Sequence, residues 1–428
     1  MSGYFVPASH DGPFSKTFVP EYALHPSEHN QPKATYPARL PRDAIPSVNA
    51  SVSVGSGSST DAQPVLTIPV LGFGIWAWGD TLTYGWNGKQ TPNGYDANLN
   101  EQSIEGAFDK MLQLFPDRVF IDTAEFYGVW GLSESLLGDL IQKRLRENQE
   151  RIVLATKFFP NPWRHPWSYP QCVVEAFGGS LSRTRLDTID IWQLHGPSNG
   201  ALFGTGGFWP RLITIVDSFA EAYRHGHMRG VGVCNLSREQ TEFMYEEFRK
   251  RGVPMVSVQV EFSLLRMDAW KHGFIDWAHS KNVSRQSPST HTKALPPLSP
   301  PPQLAFIAYS PIGLGRLTGK YNAHLLPRGN RNFGHIAWSK IQPIINQLLL
   351  IGSQHGKTPT AVALNWIMCK GAIPIPTPKN AEQVVDISES LGWKLTTEEE
   401  EALDRVGVVD DWDWNLLQHW QNWWWQQG

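Results

Sequence analysis

The sequence predicts an α/β fold in which short parallel strands alternate with helices and close into an eight-stranded barrel. Three observations carry that expectation. Short, largely apolar runs recur, among them Val119-Phe120-Ile121, Ile152-Val153-Leu154-Ala155 and Ile189-Asp190-Ile191-Trp192, the last broken by Asp190. Continuous apolar runs of this length suit strands covered on both faces. Three of the runs lead into residues that are expensive to bury: Asp122, Lys157 and His195, with Tyr127 five residues beyond Asp122. A carboxylate away from water needs a partner. Parallel strands in a barrel bring their C-terminal ends to one face, where Asp122, Tyr127, Lys157 and His195 would converge. Between the runs lie helical patterns, such as Ile104, Phe108, Met111 and Leu112 within 99–114.

Composition bounds the rest. A barrel of this kind takes roughly 250 to 320 residues, so a chain of 428 leaves extensions to account for. The formal net charge of −3 argues against a nucleic-acid partner. No run approaches the roughly 20 apolar residues of a membrane span. Cys172, Cys234 and Cys369 lie in separate segments without a CxxC pair, so no structural disulfide and a reducing compartment are expected. The 14 histidines form no HExxH and no paired Cys/His spacing, so no metal is expected. His225 and His227 are two apart and do not share a helix face; a solvated helix end is the expectation there.

Taken in order, residues 1–63 are rich in Pro, Ser and Gly and lack apolar periodicity. A disordered extension is expected, with 51–61 close to linker composition. No continuous apolar core marks a secretory signal, and Asp11, Glu21, Glu28 and Asp43 count against a transit peptide. The barrel is expected over 64–408. A hairpin over Val65–Gly74 would feed the first strand. Gly72 and Gly74 form a lone GxG, too little for a dinucleotide fingerprint. Trp76 and Trp78 follow that strand at the active face, as substrate-pocket walls or as packing aromatics. Further helices are expected at 133–146 and 171–183. The loop 158–169, with Trp163 and Trp167, would overhang the site, Trp163 as a pocket residue. The segment 200–207 is glycine-rich and apolar, as a mobile flap would be. The later barrel strands are Gly230–Asn235, Met255–Val260 with Gln259, Ala305–Tyr309 and Ala372–Pro376, with helices at 338–353 and 360–369.

Two segments interrupt this pattern. Residues 283–303 are Pro/Ser-rich, and their deletion would join Asn282 to Leu304 as a natural helix–loop–strand connection. They are either a disordered surface loop or a retained intron, since Val-Ser and Gln fit splice-junction codons. Transcript sequencing separates the two. The tail 409–428 carries Trp412, Trp414, Trp420, Trp423, Trp424 and Trp425. Such a tail packs over the barrel mouth, docks a partner or membrane surface, or stays disordered.

The convergent quartet has a chemical logic. A tyrosine hydroxyl titrates near 10, and a neighbouring lysine cation favours its phenolate. The aspartate would keep that lysine aimed, and the histidine would orient a carbonyl or share in proton transfer. These residues, with Leu71–Asp80, Asp190–Pro197 and Ile373–Gln383, resemble the aldo-keto reductase superfamily, specifically its plant and microbial branch, which includes pyridoxal reductases. The resemblance runs from about Leu71 to about Leu395 and implies a (β/α)8 TIM barrel with an N-terminal hairpin cap, using NADPH/NADP+ to reduce a small-molecule aldehyde or ketone.

By the same resemblance, Asn235 and Gln259 hold the nicotinamide carboxamide, with Cys234 where many relatives have Ser. Locally, Asn235 also reads as an N-cap or turn residue. Tyr309 would stack on the nicotinamide. Ser310 and the loop with Gly313 and Gly315 would hold the pyrophosphate through amides that glycines leave accessible. That loop contains Gly-x-Gly-x-x-x-Gly but no acidic residue at Rossmann spacing. Lys379, at a helix start, would take the adenosine 2′-phosphate, and Asn380, Gln383 and Asp386 match further adenosine contacts. Ile387 departs from the usual Asn. Tyr127 becomes the general acid, tuned by Lys157 and Asp122, with His195 orienting the carbonyl. Two other readings stay open: a catalytically silent NADP(H)-binding sensor or docking protein, and a product inactivated by the 283–303 insertion. The location expected is cytoplasmic, with the plastid as the alternative.

Overall fold

A computed structural model of the chain describes residues 46–47, 51–56, 64–89, 98–160, 169–196, 212–281, 304–325 and 336–409. Two strands, β1 (Ser51–Ser56) and β2 (Pro64–Pro69), pair antiparallel, with Val52 opposite Ile68. Eight more follow: β3 (Gly72–Gly74), β4 (Val119–Asp122), β5 (Ile152–Phe158), β6 (Ile189–Leu194), β7 (Met228–Cys234), β8 (Met255–Glu261), β9 (Ala305–Tyr309) and β10 (Ile373–Pro374). They form one parallel sheet in sequence order, from β3 to β10. The helices are α1 (Glu101–Leu114), α2 (Leu132–Arg144), α3 (Gln171–Thr184), α4 (Leu212–Arg224), α5 (Arg238–Lys250), α6 (Asp268–Lys271), α7 (Phe274–Ser280), α8 (Trp338–His355), α9 (Pro359–Cys369), α10 (Ala381–Ser388) and α11 (Thr397–Val406). Among the described residues no helix is long and apolar enough to cross a membrane.

The sheet comes round on itself. The Gly74 amide donates to the Pro376 carbonyl at 3.0 Å, joining the first barrel strand to the residues after the last. This seam explains the lone GxG. A Cβ on Gly72 would stand 2.4 Å from Phe120 Cδ1 and 3.0 Å from Ile375 Cγ2, and one on Gly74 would stand 3.0 Å from the Ile375 carbonyl oxygen. Close approach of the backbones, and not phosphate binding, demands both glycines.

The N-terminal hairpin differs from expectation. Its partner strand lies before β2, at Ser51–Ser56, and not at 72–74. Those six residues were expected to be linker, yet they form a strand. The physical reason is the Ser-Val-Ser-Val alternation, a period of two, inside a composition that otherwise reads as linker. Gly72–Gly74 is taken instead by parallel pairing with β4.

Local signals set several helix starts. Asn100 and Ser103 form a reciprocal capping box on α1, as do Ser237 and Gln240 on α5 and Thr396 and Glu399 on α11. Helix α2 packs closely on α3 through Gly138, where a Cβ would stand 2.1 Å from the Arg183 carbonyl oxygen. Beside it the fully buried Glu134 accepts hydrogen bonds from Thr156 Oγ1 and Arg183 Nε, each at 2.6 Å. His225 and His227 follow the end of α4 and are exposed. The expectations for 1–45, 283–303, the flap at 200–207, Trp163, Trp167 and the tail tryptophans lie outside the described residues.

Candidate active site

The polar strand ends meet inside the C-terminal mouth of the barrel. Asp122 closes β4, Lys157 lies next to last on β5, and His195 follows β6. All three are buried. Lys157 Nζ lies 2.5 Å from Asp122 Oδ1 and donates to the Thr123 carbonyl at 2.7 Å. It stands 3.5 Å from the Tyr127 hydroxyl and 4.9 Å from that ring's centre. The His195 ring meets Tyr127 edge-on at 5.5 Å. Four side chains from distant parts of the sequence therefore gather at one end of the barrel, as a barrel face requires.

The interior beneath them is polar because of the register. Lys157 pairs with Gln193, and Cys234 with Gln259, in adjacent strands. Gln259 Nε2 donates to Asp122 Oδ2 at 2.8 Å, and Gln193 Nε2 lies 3.4 Å from the same oxygen. Gly232 leaves room for this layer: a Cβ there would stand 2.2 Å from Ser257 Oγ and 2.9 Å from Gln193 Cγ.

Burial governs the protonation of these groups. It raises the Asp122 carboxyl against the lowering effects of Lys157, Gln259 and Gln193. It pushes His195 well below its ordinary 6.5, with Lys157 adding to the effect, so the imidazole is neutral. It pushes Tyr127 well above 10, and the Asp122 charge and the Cys234 sulfur act in the same direction. The expectation that Lys157 would lower the tyrosine is thus corrected. The ammonium is held at 2.5 Å by Asp122, and desolvation of the phenol outweighs it. Cys234 is likewise raised by burial.

Asn235 sits in the left-handed region, φ 58°. Its Nδ2 donates to the His195 carbonyl at 3.0 Å, and its Oδ1 accepts from the Tyr309 hydroxyl at 2.8 Å. The cap of α5 is Ser237, so the local cap alternative for Asn235 does not hold. Tyr309, partly exposed, ends β9 and is raised by burial. Next come Ser310 at φ 51°, Gly313 at 55° and Gly315 at 92°, all left-handed. The Gly313 amide donates to Ser310 at 2.9 Å and the Gly315 amide to Ile312 at 3.1 Å. These two glycines therefore supply a turn shape, and their amides are engaged within it. Arg316, buried beside them, was not singled out from the sequence.

At the start of α10, Asn380 is the N-cap, accepting from the Gln383 amide at 3.0 Å. Gln383 Oε1 accepts in turn from the Lys379 amide at 2.8 Å. Asp386 Oδ1 accepts from Thr358 Oγ1 at 2.6 Å, tying α10 to the cap of α9. Ile387 is buried in the core.

The two tryptophans after β3 part company. Trp76 is partly exposed, and its ring lies 6.1 Å from Tyr127. Trp78 is completely buried and donates its indole N–H to the Pro378 carbonyl at 3.0 Å. It has no surface to offer a substrate, so its place among the pocket walls is corrected to that of a pin between the first and last barrel loops. The aromatic side of the mouth is completed by residues the sequence did not single out. Phe159 lies 5.9 Å from His195, Phe126 lies 5.5 Å from Phe159, and the exposed Trp130 meets Phe126 at 6.0 Å. Nothing in local sequence distinguishes these from core aromatics.

Fold and site together define a parallel (β/α)8 barrel with Asp122, Tyr127, Lys157 and His195 gathered at its C-terminal mouth. The sequence profile described as "Aldo/keto reductase family" matches residues 70–286 and 302–407. The chain belongs to the aldo/keto reductase family and is an oxidoreductase. The break at 287–301 falls inside the segment expected to be an insertion. The chain is 34% identical over 349 residues to a chloroplastic pyridoxal reductase of Arabidopsis thaliana, covering 79% of this chain and 83% of that one. In fold it is similar to a glycerol dehydrogenase from Gluconobacter oxydans, with TM-score 0.59, 21% identity and coverage of 85% and 97%. It is also similar to a Klebsiella pneumoniae aldo/keto reductase solved with NADP and acetate, with TM-score 0.56, 20% identity and coverage of 85% and 98%.

Proposed function

We propose that the protein reduces an aldehyde or ketone to an alcohol with NADPH, using Tyr127 as general acid. The observation that carries this reading is the buried Asp122–Lys157 ion pair with the Tyr127 hydroxyl 3.5 Å from the ammonium. A pure binder has no need of all these groups together.

The residues at the mouth fit a phosphorylated dinucleotide. Lys379 places an ammonium at the N-terminus of α10, where the helix dipole also favours an anion. The left-handed turn over Ser310–Gly315 bends the chain beside the mouth, and the Tyr309 ring is partly exposed there. In this reading Lys379, Asn380, Gln383 and Asp386 face the adenosine end, and Asn235, Gln259 and Tyr309 the nicotinamide end. Asn235 and Gln259 would exchange some of their present hydrogen bonds to do so. Bound there, NADPH supplies the hydride.

The chain's own groups handle the proton. Tyr127 carries its proton at neutral pH, as a general acid must. Its hydroxyl donates to the carbonyl oxygen, and the phenolate left behind faces the Lys157 cation. Asp122 holds that cation in place and is itself held by Gln259 and Gln193. Neutral His195 offers a hydrogen bond that orients the carbonyl. Trp76, Phe126 and Phe159 form an apolar, aromatic wall suited to a flat substrate, and pyridoxal, named in the Arabidopsis relative, is the first to try. The cytoplasm is the proposed location. That relative's name makes the plastid the alternative, and a fluorescent fusion carrying residues 1–63 decides between them.

The test follows the absorbance of reduced nicotinamide with a panel of small carbonyls that includes pyridoxal. Turnover that Tyr127→Phe lowers at least about 100-fold, with NADPH binding kept, is the expected result. NADPH binding without turnover on any carbonyl would overturn the reductase reading in favour of a sensor.

A further inference from the structure

A chain of contacts runs from the start of α10 back to the acid. Lys379 Nζ lies 5.2 Å from the centre of the Tyr84 ring. Tyr84 is buried and meets Trp76 edge-on at 5.3 Å, and Trp76 faces Tyr127. The loop carrying Tyr84 is firmly held. The Asp80 carboxylate accepts from the amides of Leu82, Thr83 and Tyr84, the first and last at 2.9 and 3.2 Å. Two residues earlier, Trp78 pins the same loop to the Pro378 carbonyl, next to Lys379. The ring is therefore fixed relative to the backbone from which the lysine springs.

We infer that Tyr84 is a positioning residue for Lys379, and that its ring face aims the ammonium so that the site prefers a cofactor bearing a 2′-phosphate. This rests on the proposed role of Lys379. A lysine side chain has much rotamer freedom to lose on binding an anion. An aromatic face attracts the cation electrostatically without neutralising its charge. A lysine already gathered against a rigid ring meets the phosphate with less ordering still to do. NADH has no 2′-phosphate and draws nothing from this arrangement. Tyr84 touches no reacting atom, so its effect belongs in cofactor discrimination.

The experiment compares kcat/KM for NADPH and NADH with one carbonyl substrate across substitutions at position 84. Tyr84→Phe keeps the ring face and should keep the NADPH/NADH ratio. Tyr84→Leu should lower that ratio about threefold to tenfold. Because a buried leucine can disturb the loop, mono-, di- and trifluorophenylalanine at position 84 form a second series. They keep the ring's shape while drawing charge off its face, and the ratio should fall stepwise with fluorine number. A ratio that does not move along the fluorine series overturns the inference. Lys379→Met separates the two levels. If it collapses the ratio while the series is flat, Lys379 reads the phosphate without help from Tyr84. If it leaves the ratio intact, the assignment of Lys379 fails, and this inference with it.

Discussion

Gln259 Nε2 lies 2.8 Å from Asp122 Oδ2, although the two residues are 137 positions apart and sit on strands four places from each other in the sheet. The glutamine thus serves the buried ion pair through the carboxylate oxygen that the lysine leaves free. Gln259→Met should leave that oxygen short of a donor and cost about 1–3 kcal/mol of stability. Gln259→Glu should cost more, since it sets a second carboxylate against the first. Denaturant unfolding of the two variants checks the order.

Lys157→Met should be the most damaging single change at the site. It strands the Asp122 charge in the barrel interior, and breaking a buried pair in this way costs about 3–5 kcal/mol. Asp122→Asn/Lys157→Met together should be milder than Lys157→Met alone, because no charge is left unpaired. Unfolding midpoints in guanidinium, read as a double-mutant cycle, measure this.

His195 gives a pH signature. Its folded pKa is depressed below 6.5 by burial. Above 6.5 it is neutral in both the folded and unfolded states and contributes no pH dependence. As pH falls below 6.5 the unfolded chain takes up the proton first, so the folded state loses stability toward the lower folded pKa. His195→Gln removes this loss. The stability of the wild type relative to the variant should therefore fall as pH drops from about 7 to about 5, and equal differences at both ends would contradict the burial argument.

Two helical glycines should respond with opposite signs. Gly138→Ala puts a methyl group 2.1 Å from the Arg183 carbonyl oxygen, and forcing α2 from α3 should cost about 1–3 kcal/mol. Gly178 is exposed on α3, and a methyl group placed on its Cα would meet nothing within 4 Å. Gly178→Ala should stabilise the protein by about 0.5–1 kcal/mol. Thermal melts of both variants suffice.

Deleting residues 283–303 should leave the barrel standing. The segment joins α7, which ends at Ser280, to β9, which begins at Ala305, and the family match breaks within it. Loop length enters stability only logarithmically, so a change under about 1 kcal/mol is expected from loop closure. Activity found only in the deletion variant would show that the segment obstructs the site.

The sequence by itself determined the alternation of strands and helices, the parallel order, and which residues end the strands. Those features are local: a strand of Val, Ile and Phe or an amphipathic helix declares itself within a dozen residues, and Asp122, Lys157 and His195 stand out as polar residues at the ends of apolar runs. Capping pairs such as Ser237 with Gln240 belong to the same class, since both partners lie within one turn. Tertiary structure alone decided the rest. Trp76 and Trp78 are two residues apart and look alike in sequence, yet one faces Tyr127 and the other is buried on Pro378. Gly72 and Gly74 proved to be the barrel's seam only once Phe120 and Ile375 were seen against them. The direction of the Tyr127 shift does not follow from charge types, because the presence of a lysine nearby says nothing of how far the phenol is desolvated. Desolvation depends on every atom packed around a group, and those atoms come from strands and loops scattered through the whole chain.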